Sequence, residues 1–94
     1  MVQRIQFREE EMRDAIAEFR RCAREMRSCV EQIHSLARSL DEGALIGQGG
    51  TAMSEALNRT LCGSIERLAQ KMEERARFTE TELEQLLRAA SQMR

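Results

Sequence analysis

The 94-residue sequence contains no proline, no tryptophan and no tyrosine, and it has only five glycines. Proline and glycine interrupt helices, and aromatic residues are enriched in strands. Charged residues, in contrast, make up 33% of the chain. This composition favours long helices over sheets, and the length allows one domain. We therefore expect an all-α protein in which residues 1–94 form a single domain.

An excess of one charge and a long apolar run are also missing. Fifteen basic and sixteen acidic residues give a net charge of -1, and the two signs alternate along the chain. No basic patch for a phosphate backbone emerges, so we expect no nucleic-acid partner. The longest stretch without a charged residue is GALIGQGGTAMS. It is shorter than the roughly 18 apolar residues of a membrane span, so we expect no stable membrane insertion.

The N-terminal stretch MVQRIQFREE lacks the apolar core and the cleavage site of a secretory signal peptide. Three cysteines without CxxC spacing suit a reducing compartment better than a disulfide scaffold. We expect synthesis and folding in the cytoplasm. Any secretion would then proceed without a cleaved signal peptide.

The residues with chemical potential do not form a recognisable catalytic or metal site. An antiparallel pairing brings Cys29 near Cys62, which allows a disulfide or half of a metal site, but we favour small buried hydrophobes. His34 lies about 140° round the helix from Cys29, so the two cannot share a tetrahedral ion without distortion. The GQGG stretch lacks the GK[ST] ending and the preceding strand of a phosphate-binding loop. We expect no catalytic residue, no cofactor and no metal, and hence no enzyme.

Apolar residues follow helical periods in both halves of the chain. In the first half a heptad row runs beside a second row of apolar pairs, and the stripe is wider than a two-stranded coiled coil needs. In the second half apolar residues recur at spacings of three and four. The predicted hairpin and dimer core consists of Ile5, Met12, Ile16, Phe19, Met26, Val30, Ile33, Leu40, Leu57, Leu61, Ile65, Leu68, Met72, Leu83 and Leu86.

The glycine cluster divides these two helices. We predict helix one over about 3–41, a turn over about 42–50 and helix two over about 51–92. Gly43 can cap the first helix in a left-handed conformation, Gly49 and Gly50 can reverse the chain, and Thr51 can cap the second helix. The fold expected is an antiparallel two-helix hairpin. A lone hairpin covers only part of each wide stripe, so we expect it to dimerise into a four-helix bundle, as a homodimer or as a heterodimer with a related hairpin.

The length, the central turn and the amphipathic restart resemble the WxG family of small ESX-like proteins of type VII secretion. Leu45, Ile46 and Gly47 stand where that family has Trp-x-Gly, and Gly49 and Gly50 complete the turn motif. Phe78 and Glu82 match the family's secretion signal, an aromatic residue followed four positions later by an acid.

The resemblance implies a non-enzymatic dimer that is exported folded, as a substrate or as an escort for a larger secreted protein, and that is read by a secretion ATPase. For single residues the alternatives are structural: Leu45 and Ile46 close the end of the bundle, and Phe78 packs on the flank of a helix. A cytosolic coiled-coil adaptor or assembly protein is the alternative function. A membrane-active hairpin is less compatible, because neither helix has a basic face with interfacial tryptophan.

Overall fold

A computed structural model of the chain describes residues 2–44 and 48–93. Helix α1 spans Val2–Ser39 and is followed by a turn, Leu40–Ala44, in which Gly43 has non-helical φ and ψ. Helix α2 spans Gln48–Glu55, a π-helical segment spans Ala56–Leu61, and helix α3 spans Cys62–Gln92. Both residues that flank the π-helical segment have α-helical φ and ψ, so these three elements form one continuous second helix. The described residues contain no strand, and the all-α prediction is confirmed.

The two long helices lie side by side in opposite directions. Arg20 of α1 contacts Glu80 of α3, and Arg27 contacts Glu73. The residue number of the contact partner on α3 therefore decreases as the residue number on α1 increases. The extents of the molecule are 70 × 15 × 12 Å. This rod is the predicted helical hairpin.

The fully buried residues of the hairpin recur every seven positions on both helices. We call these two rows the seam: Ile16, Ala23, Val30 and Ala37 on α1, and Cys62, Ala69, Ala76 and Leu83 on α3. Most of them are alanine or cysteine, whose short side chains allow two helix backbones to approach closely. Close approach along a heptad seam explains why alanines, rather than the largest side chains, are the least exposed residues of the hairpin.

The order of burial differs from the expectation. The predicted core of helix one lies mainly in the heptad row that contains Met12, Phe19 and Met26. In the structure, Met12, Phe19, Met26 and Ile33 are only half-buried, while the neighbouring row is closed. Two helices alone pack most closely along their smallest side chains, so the larger side chains lie beside the contact instead of between the backbones.

The π-helical segment changes the spacing of the buried residues in the second helix by one position. Buried residues of α3 are seven apart, but the next buried side chain before Cys62 is Ser54, eight positions earlier. A π-helical turn holds one more residue than an α-helical turn, so Ser54 returns to the seam. Ser54 is 3% exposed, and its hydroxyl donates a hydrogen bond to Asp41 Oδ2 over 2.9 Å. The buried polar group is thereby satisfied.

The glycines around the turn have different roles. Gly43 has φ +125°, so it supplies the positive φ predicted for the end of helix one. Gly49 and Gly50, in contrast, lie in α2, which begins at Gln48, and they do not reverse the chain. Thr51 is likewise inside α2 and not its cap. Glycine is tolerated here because the first amides of a helix have no partner within the helix.

Candidate functional site

The two flanks of the seam differ in chemistry. Residues four positions after seam residues form one flank, which we call the charged side. Arg20 and Arg27 reach it from α1, and Glu73 and Glu80 reach it from α3. Arg20 pairs with Glu80 and Arg27 pairs with Glu73, so this flank is bridged by ion pairs between the helices.

Residues three positions after seam residues lie on the opposite flank, which we call the apolar side. Half-buried side chains form it along most of the rod: Phe19, Met26 and Ile33 from α1, and Ile65, Met72 and Leu86 from α3. Farther out on the same flank, Leu36, Leu61 and Leu68 are 54%, 43% and 47% exposed. These side chains form an apolar strip along this flank, interrupted at Thr79.

The predicted core residues divide according to these positions. Ile16, Val30, Leu40 and Leu83 are buried, and Leu61 and Leu68 are exposed. Met12, Phe19, Met26, Ile33, Leu57, Ile65, Met72 and Leu86 are half-buried, and the side chain of Ile5 lies outside the described part of the structure. The predicted core left out the small seam residues Ala23, Ala37, Cys62, Ala69 and Ala76. Their strict seven-residue spacing is the signal that identifies them.

The two residues of the expected secretion signal are both accessible. Phe78 is 56% exposed, and the guanidinium carbon of Arg75 lies 5.4 Å from the centre of its ring. Glu82 is exposed about one turn later on the same helix. The Phe78 ring contacts a cation and solvent and is not enclosed by the hairpin. Leu45, Ile46 and Gly47, the other motif of the resemblance, lie outside the described residues.

One polar cluster occupies the seam beside the π-helical segment. Asn58 Oδ1 lies 2.7 Å from His34 Nδ1, and Cys62 Sγ lies 4.0 Å from the same nitrogen. Burial raises the pKa of the Cys62 thiol, and the nearby charges of Glu66 and Cys29 raise it further. A thiol of this kind is a poor nucleophile at neutral pH.

The remaining chemistry of the described residues is sparse. Cys22, Cys29 and Cys62 are free thiols. Within the described part of the chain, no three His, Cys, Asp or Glu side chains are grouped so that they can hold a metal ion. No helix in residues 2–44 and 48–93 is long and apolar enough to cross a membrane. The candidate functional features are therefore surfaces: the apolar side, the charged side, and the part of α3 that carries Phe78 and Glu82, which we call the exposed edge of α3.

Comparison with protein families, curated proteins and solved structures finds no match for this chain.

Proposed function

We propose that this protein is a non-enzymatic component of an ESX-like type VII secretion system. It acts as an exported substrate, or as an escort for a larger secreted protein, and it does so after dimerising into a four-helix bundle. The observation that carries the proposal is the open apolar side of a hairpin whose other side is bridged by ion pairs. A second hairpin with the same amphipathic pattern fits such a side.

The composition of the apolar side supports a dimer. On the second helix this side extends from Leu61 to Leu86, about 38 Å at 1.5 Å per residue. Two of its residues are the methionines Met26 and Met72, whose flexible side chains adapt to different neighbours. The same face accepts an identical chain or a related hairpin.

Sedimentation of the purified chain tests the association. We expect dimers at micromolar concentration for the natural sequence, and loss of the dimer for Met26→Glu because a carboxylate then points into the apolar side. Ala17→Glu is the matched control, since Ala17 is exposed away from this side. Circular dichroism of each variant checks that the helices remain formed. If the purified natural protein is a folded monomer in the absence of any other protein, the dimeric four-helix bundle is excluded.

The exposed edge of α3 supports recognition by the export machinery. Phe78 and Glu82 present an aromatic ring and a carboxylate on a folded helix, so a secretion ATPase can read them without unfolding the protein. We expect Phe78→Ala and Glu82→Ala to remain inside cells that carry the secretion system. Phe7→Ala is the control, because Phe7 is 65% exposed and outside the motif. Equal amounts of all three variants in the medium would show that Phe78 and Glu82 are not the signal.

A cytosolic coiled-coil adaptor is the second candidate function. The length of the apolar side favours it, because a helix of another protein fits a strip of about 38 Å. The adaptor requires a stable complex inside the cell and no transfer to the medium. Capture of the tagged chain from cell extract, with parallel analysis of the medium, separates the two functions.

A further inference from the structure

A groove on the charged side concentrates positive charge. It has a volume of about 320 Å³ and is lined by Arg20, Ala23, Arg24, Arg27, Glu73 and Arg77. Four guanidinium groups thus surround one carboxylate, although the whole chain has a net charge of -1. The three arginines of α1 share a face because they are four and three residues apart, and the fourth comes from α3. The fold creates this cluster, which is not apparent as a run in the sequence.

Two of these arginines remain available for a ligand. Arg20 and Arg27 are engaged by Glu80 and Glu73. Arg24 and Arg77 are exposed, and neither takes part in an ion pair within the described part of the chain. Each guanidinium offers a planar fork of donors that matches a carboxylate with two hydrogen bonds. The unpaired arginines therefore favour an anionic partner at this point of the rod.

A second groove, which is more apolar, lies next to the first along the rod. A neighbouring groove of about 500 Å³ shares Arg20 and is lined by Ile16, Ala17, Leu83 and Leu87, with Arg13, Glu80 and Glu84 among its walls. A ligand that lies along both grooves meets arginines at one end and aliphatic side chains at the other. A helix that carries acidic side chains in one half and apolar side chains in the other fits this combination.

We propose that these two adjoining grooves bind a helix of a partner protein that is acidic in one half and apolar in the other. Carboxylates of the partner pair with Arg24 and Arg77, and its apolar side chains lie on Ala17 and Leu87. The carboxylates of the groove disfavour a nucleic acid, whose continuous phosphates would meet Glu73 and Glu80, whereas acidic side chains on a helix can be spaced to avoid them. The partner's identity as a larger secreted protein rests on the proposed function. The groove itself lies across the seam from the apolar side, so a dimer leaves it open.

Binding of a synthetic probe tests the groove. The probe is a fluorescent helical peptide of about 16 residues, roughly 24 Å long, with glutamates in one half and leucines in the other. Fluorescence anisotropy is measured against the natural protein, an Arg24→Glu/Arg77→Glu variant and an Arg8→Glu/Arg38→Glu variant with the same change in net charge. Arg8 and Arg38 are exposed and lie outside this groove. We expect saturable binding that weakens about 100-fold in the groove variant, at roughly tenfold for each charge-assisted hydrogen bond lost, and little change in the control.

Three results would overturn the proposal: equal binding by the groove and control variants, equal binding of a peptide with glutamine in place of glutamate, or stronger binding of a single-stranded oligonucleotide than of the peptide. An Arg24→Gln/Arg77→Gln variant, with helicity checked by circular dichroism, separates loss of contact from damage to the fold. Sedimentation of the groove variant distinguishes a loss of peptide binding from a loss of the dimer on which the proposed function depends. A dimer that no longer binds the peptide leaves the secretion proposal intact, and peptide binding by a monomer would separate the groove from dimerisation.

Discussion

Substitution of Ala76 by leucine tests the close approach of the two helices. Ala76 is fully buried and belongs to a core cluster with Ile16 and Leu83, against which Met12 and Phe19 pack. If the helices had room between them, three added carbons would bury apolar surface and stabilise the fold by about 0.8 kcal/mol for each methylene. A closed seam gives the opposite sign, because an enlarged side chain must separate the backbones or leave its rotamer. Overpacking of this kind costs about 1–3 kcal/mol.

Thermal unfolding followed by far-UV circular dichroism measures this effect. A loss of that size lowers the Tm of a domain of this length by roughly 4–24 °C. All samples are compared at one protein concentration, because association changes the apparent stability. Ala17→Leu is the matched control: Ala17 is exposed on the same helical hairpin, and leucine is nearly as good a helix former as alanine. An Ala76→Leu variant that unfolds at a higher temperature than the natural protein would refute the closed seam.

Three further predictions concern the turn, the seam thiol and the ion pairs. Gly43→Ala is expected to destabilise the protein by about 1–3 kcal/mol because Gly43 has a positive φ. Gly49 also has no neighbour within 4 Å, but it is helical, so Gly49→Ala is expected to stabilise the protein by about 0.5–1 kcal/mol. Urea titration of both variants measures the difference. The pKa of the Cys62 thiol is raised in the folded state, so the thiol's contribution to stability is complete below the ordinary thiol pKa of about 8.5 and is lost as the pH rises above it. The Tm of the natural protein should therefore fall more over this alkaline range than the Tm of Cys62→Ala. Equal decreases of Tm in the two proteins would contradict the raised pKa. Arg20→Ala should lower the free energy of unfolding by no more than about 1 kcal/mol, because Arg20 and Glu80 are 46% and 43% exposed; a larger loss in a double-mutant cycle would show a stronger pair.

The helical hairpin was predictable because its signals are repeated and local. Heptad spacing extends over most of the chain, and Gly43 supplies the conformation that ends a helix. The seam was harder to identify, since a row such as Ala69 and Ala76 has the same period as the rows of larger residues beside it. Periodicity gives the angle of a row around its helix. Which row lies innermost depends on how closely the second helix can approach, and that is a property of both helices together.

The boundaries and the charged groove depended on contacts that sequence spacing does not encode. Glycine pairs commonly mark turns, yet Gly49 and Gly50 are taken into α2. Arg77 is 50 or more residues from Arg24 and Arg27 in the chain, and only the register of the antiparallel helices brings it to their groove. The alternation of charges in the sequence predicted no basic patch. The fold instead separates one apolar flank from one charged flank, because the second helix repeats the angular pattern of the first.

The π-helical segment Ala56–Leu61 divides the second helix into two blocks with different phase. The 31 residues of α3 keep their heptads with α1, and the single extra residue is absorbed within one turn. A gain or loss of one residue in this segment would rotate only the short block that leads to the turn. The end of the rod that carries the chain reversal can thus change its orientation during evolution while the remaining length preserves its pairing.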